Sequence, residues 1–173
     1  MSIILSGAEL DRVYAPDSNG DYPDMIHGRT AALGDIFFGT GGKVYKFVQY
    51  DEGTGALDLA AGDVVYYVDD SGYGAHTVTA DASDSSGQEI GAGVAVAAVT
   101  TDASYFWIQI KGAATLAVAL GGSAGDGDPL TATGAADKAL TKAAESDTAA
   151  VYKPVCAFAI DATAKEIVCD FVF

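Results

Sequence analysis

Histidine, cysteine and basic residues are scarce in this chain, and each scarcity removes a class of function. There are two histidines, His27 and His76, in 173 residues. Neither stands in a metal-ligand spacing or beside a nucleophile motif. Gly-x-Ser-x-Gly, His-Glu-x-x-His and a phosphate-binding loop with its lysine are all missing. No cofactor or metal is expected, and no enzymatic activity. The two cysteines, with no histidine nearby, are poor zinc ligands. Lys and Arg number 9 against 24 Asp and Glu, a net charge of −15. A surface so acidic repels phosphate, which argues against nucleic acid as a partner. It also repels anionic lipid, and no apolar run approaches the ~20 residues of a membrane helix, so no membrane partner is expected. The acidity suits solubility, and equally a partner with basic patches. The opening Met1–Gly7 has no basic region and too short an apolar run for a secretory signal, so synthesis in a cytoplasm is expected.

Glycine, by contrast, numbers 21 and recurs between short β-prone runs. This predicts an all-β fold, a compact β-barrel or β-sandwich of short antiparallel strands. The length suits one domain, or one domain with an arm, and buries a core without disulfides or metals. Residues 1–30 read as an extended N-terminal arm, because Pro16, Pro23 and Asn19-Gly20 interrupt any period. Residues 31–173 read as a single β domain. The apolar start Ile3-Ile4-Leu5 suits an edge strand or a partner's groove.

The clearest alternation lies between Ser104 and Leu120, which holds the only Trp. Phe106, Ile108 and Ile110 share one face; Tyr105, Trp107, Gln109 and Lys111 share the other. With Gly112-Ala113-Ala114 as a loop, Leu116, Val118 and Leu120 continue the apolar face, so a β-hairpin is predicted. Its outward Tyr105 and Trp107 suit an interface or a sugar-stacking platform, or else pack under a loop or second sheet.

Further strands are predicted at 36–38, 44–50, 64–68, 76–79, 93–99, 155–160 and 167–173. Asp81–Gly87 reads as a polar, exposed segment. Residues 134–150 have helical composition but strand-like spacing, and read as irregular or strand. Gly34-Asp35, Gly62-Asp63 and Gly127-Asp128 each precede a β-prone run, so Gly-Asp reads as a turn at the entry to a strand. With Asp161–Ala164 as the last turn, Cys156 falls opposite Cys169, within reach of a disulfide. Two small buried thiols in a reduced compartment is the preferred alternative. Gly125-Asp126-Gly127-Asp128 lacks the distal Glu of a calcium loop and reads as a solvated turn.

The segments Gly93–Ala97 and Tyr105–Gly112 resemble ones shared by small virion proteins of tailed phages. Lys43–Val48, Ala61–Val65, Gly127–Gly134 and Cys156–Asp161 are similar to the same pattern, so the resemblance covers most of residues 30–173. The family is that of capsid decoration, or cement, proteins. The resemblance implies binding to the outer surface of a phage capsid, with the major capsid protein as partner, often as a homo-trimer near threefold positions. It implies a place in the virion after synthesis in the host cytoplasm. Binding only the assembled shell would stabilise it by mass action, with avidity from many symmetric sites. The unpaired apolar arm and the outward aromatics nominate Ile3, Ile4, Leu5, Tyr14, Tyr105 and Trp107 as contact residues. Two alternatives stand beside this. One is a carbohydrate-binding module for host-surface attachment, using the same Trp and Tyr. The other is a hydrolase whose carboxylates meet only in space.

Overall fold

The structure, a computed structural model, describes residues 3–4, 9–16, 31–68, 72–85, 90–132, 136–143 and 154–172. Runs of β-branched and aromatic residues between glycine turns fold as strands. They are β1 (Ile3–Ile4), β2 (Ile36–Phe38), β3 (Val44–Asp51), β4 (Val64–Tyr67), β5 (Thr77–Thr79) and β6 (Gly91–Ala95). The second half adds β7 (Tyr105–Thr115), β8 (Pro129–Ala132), β9 (Leu140–Lys142), β10 (Val155–Asp161) and β11 (Glu166–Asp170). Among the described residues, helix is limited to single turns at Gly72–Ala75, Thr40–Gly42 and Ala82–Ser85. The fold is all-β, as expected.

The strands run in the order β1-β2-β3-β5-β4-β6-β7-β11-β10-β8-β9, and β3 also pairs with β7. That extra pairing closes β3, β5, β4, β6 and β7 into a five-stranded ring, a small barrel. The expected antiparallel pairing has two exceptions, β1 with β2 and β3 with β5. The second arises because β5 inserts between its two predecessors. Phe106, Ile108 and Ile110 from β7 join Val48, Tyr50, Val64 and Val65 in the main core, along with Leu130 and Leu140 from the outer strands and Phe171 just past β11.

The predicted hairpin at 104–120 does not form. β7 is one strand of 11 residues, bent rather than reversed at Gly112, where φ is +87°. Before the bend it pairs with β3; from Lys111 to Thr115 it pairs with β11. The Gln109 amide holds the bend by donating toward the carbonyls of Lys111, Gly112 and Ala113 at 3.1, 3.1 and 2.9 Å. A glycine at positive φ is common to tight turns and to strand bulges, and here it makes a bend.

The three Gly-Asp pairs are copies of one corner. Gly34, Gly62 and Gly127 have φ of +82°, +92° and +82°. Each following Asp closes the turn by donating its N–H to the carbonyl of Ala32, Ala60 or Gly125. Its carboxylate accepts that same residue's N–H, at 2.8, 2.8 and 2.7 Å. The glycine N–H and the Asp carbonyl then clasp one residue of a neighbouring strand: Phe47, Ala95 or Ala159. Each corner thereby launches a strand, β2, β4 or β8, in a fixed position.

Other expectations need correction. Asp81, Ala82 and Ser85 are buried, not exposed. The Asp81 carboxylate accepts N–H bonds from Ser83 at 2.8 Å and Gly55 at 3.2 Å, which folds this segment inward. The stretch 134–150, read as irregular or strand, does contribute a strand, β9, while residues 134–135 and 144–150 lie outside the described part. In the C-terminal hairpin the turn is one residue later than predicted, and β10 bulges between Ala159 and Asp161. Ala157 therefore stands opposite Cys169, and both cysteines are free and buried.

Candidate functional site

The residues nominated as contacts do not form a common surface. Tyr105 and Trp107 are 4% and 2% exposed, so their expected outward display is corrected. They stack in a second core with Phe47 and Tyr45, covered by Leu10, Tyr14, Leu33 and Phe37. Ring centres lie 5.1 Å apart for Phe47 and Trp107, and 6.2 Å for Phe37 and Trp107. The cover comes from upstream: Tyr14 and Tyr105 exchange two main-chain hydrogen bonds of 2.8 Å. Tyr14 is half-buried on its own domain. Ile3 and Ile4 pair in parallel with Ile36 and Phe37. Leu5 lies outside the described residues. A sugar-stacking role for Trp107 is thereby left without an open platform.

A different surface is exposed. Five of the seven large apolar side chains that stand exposed among the described residues belong to the C-terminal hairpin: Val155, Phe158, Ile160, Val168 and Val172. Each is between 42% and 46% exposed. The alternation that exposes them turns small residues inward, with Cys156, Ala157, Ala159 and Cys169 in the core. Register makes the patch continuous. Ala113 of β7 faces Val168 of β11, Val168 faces Phe158 of β10, and Phe158 faces Pro129 of β8. One apolar row therefore crosses four strands. A concentrated apolar patch of this kind marks an interaction site more often than scattered exposed residues do.

The rim is acidic. Glu166 and Asp170 point outward on β11, and Asp170 pairs with Lys111. At the hairpin tip, Asp126 and Asp161 accept the N–H groups of Ala162 and Ala164 at 2.9 and 2.8 Å. Beneath the patch, burial pushes the Cys156 and Cys169 thiols up to about 12, so they stay protonated and inert at neutral pH. Among the described residues no three His, Cys, Asp or Glu side chains gather in a metal-holding group.

The surface was present in the sequence as Phe158 and Ile160 alternating with Ala157 and Ala159. The usual expectation puts the larger residues inside, and here the order is inverted. No protein-family model, curated protein or solved structure matches the chain.

Proposed function

We propose that this chain is a structural virion protein that binds the outer surface of a phage capsid and cements the assembled head, acting as a homo-trimer against the major capsid protein. The observation that carries this reading is the apolar row Ala113-Val168-Phe158-Pro129 with its acidic rim. Such a face suits an apolar surface edged by basic side chains. Covering the exposed part of Phe158 removes on the order of 90 Å2 of apolar area, worth ~2 kcal/mol per copy. Repetition over a symmetric shell multiplies that modest gain. The resemblance to decoration proteins points the same way. Co-sedimentation with undecorated capsids tests it. Saturable binding at a fixed ratio to the capsid protein is expected, weakened at least tenfold by Phe158→Asp. Absence of binding at every salt concentration, or binding indifferent to Phe158→Asp and Val168→Asp, refutes it.

A further inference from the structure

A cationic cavity of about 320 Å3 is lined by Leu33, Gly34, Ile36, Lys46, Tyr73 and His76. Lys46 is only 3% exposed, an unusual state for lysine. Its ammonium donates to the Tyr67 hydroxyl at 2.8 Å and lies 5.0 and 5.5 Å from the Tyr67 and Tyr73 ring centres. An ammonium carries three N–H donors, and this one uses a single one of them in a hydrogen bond among the described residues. The ion pairs of the described residues leave Lys46 without a carboxylate, although the chain has 24 acidic residues. His76, held at φ +58°, presses its ring on Gly34, where a Cβ would sit 2.4 Å from Nε2. Its Nδ1 is buried and has no hydrogen-bond partner. Burial first, and the Lys46 charge second, lower the imidazole's proton affinity.

A buried cation with spare donors and the ring of His76 thus line one cavity whose other walls are largely apolar. We propose that this cavity binds a small organic carboxylate. Lys46 supplies the charge and two unused N–H donors, and Leu33, Ile36, Tyr73 and the His76 ring contact the ligand's body. One ammonium balances one negative charge, so a carboxylate fits better than a phosphate dianion, which the acidic chain also repels. The carboxylate belongs either to a free acid or to an acidic side chain of a partner polypeptide. The site uses none of the residues of the β10–β11 face, so its failure leaves the capsid reading standing.

The test is titration of the isotopically labelled full chain with benzoate, acetate and N-acetyl-glutamate amide, followed by NMR at Lys46 Cε and the His76 ring. Saturable shifts at both residues are expected with at least one of them at millimolar concentration. The bound acid should move the lysine's titration midpoint up by about one unit. Stronger binding of benzoate identifies a free acid; stronger binding of the glutamate amide identifies a side chain. Lys46→Met should weaken binding at least tenfold. Should that variant not fold, the titration of the unaltered chain decides alone. No saturable shift with any of the three, or unchanged affinity in Lys46→Met, overturns the proposal.

Discussion

Replacing Asp63 by alanine probes how the barrel's corners hold. Asp63 is 2% exposed and its carboxylate accepts the Ala60 N–H at 2.8 Å. Lys138 approaches the same oxygen to 3.5 Å. A hydrogen bond to a buried charged group contributes about 1.5–3 kcal/mol. The ion pair adds little more, ~0.5–1 kcal/mol, because the partly exposed Lys138 regains water when released. The expected loss is therefore about 2–4 kcal/mol, read from urea unfolding with an unchanged m-value. Asp63→Asn keeps an acceptor but not the charge and should fall between. Asp128 occupies the same place in the third corner, bonded to Gly125 and Lys142, but its side chain is 23% exposed. Asp128→Ala should cost clearly less. A cycle with Lys138→Met isolates the ion-pair share. Equal losses at Asp63 and Asp128 would refute the argument that burial sets the strength of an otherwise identical corner.

Trp107→Ala should lower unfolding free energy by about 3–5 kcal/mol, as expected for a large buried aromatic, with loss of near-ultraviolet circular dichroism. Gly41→Ala meets only the penalty of φ +69°, since no atom lies within 4 Å of its new Cβ. Gly62→Ala meets φ +92° and also Ala117 N at 3.0 Å, so it should be the more destabilising in calorimetry. Burial pulls the Lys46 amine down to about 8, with Tyr67, Tyr73 and His76 facing it. An unfolded lysine titrates near 10.4, so between those values this group alone makes stability rise with pH. Cys156 and Cys169 act oppositely once the unfolded thiols ionise near about 8.5, and two thiols outweigh one amine. Burial holds the hydroxyls of Tyr50, Tyr66 and Tyr67 protonated, so the fall steepens above about pH 10 as the unfolded tyrosines ionise. Lys46→Met should remove that opposing contribution and steepen the fall in stability between about pH 8.5 and 10 in pH-dependent urea titrations.

Local chemistry was legible in the sequence, and distant chemistry was not. The Gly-Asp corners could be read because both the glycine's φ and the Asp side-chain bond are set within four residues. The strands β2, β3 and β4 followed from β-prone runs and flanking turns. The burial of Trp107 could not be read, because its cover, Tyr14 and Leu10, lies far upstream in a segment without periodicity. The bend at Gly112 resembled a hairpin turn because glycine serves both, and only pairing with β11 distinguishes them. The apolar row across β7, β11, β10 and β8 depends on register, and register shifted through a bulge in β10. Lys46 did leave a signal. It interrupts the parity of Val44, Val48 and Tyr50, three residues of the main core.

Because β7 hands over from β3 to β11, its two halves mature at different times on the ribosome. Residues 105–111 meet β3 and β6, which are already synthesised. Residues 111–115 must wait for β11, whose Glu166 pairs with Thr115. At 5–20 residues per second the roughly 50 intervening residues take about 3–10 s to emerge. Throughout that interval the far half of β7 is an open edge on a barrel otherwise complete. Its composition fits the delay: Lys111, Gly112, Ala113 and Ala114 combine a charge with small, weakly β-forming residues, a poor template for pairing with a neighbouring nascent chain.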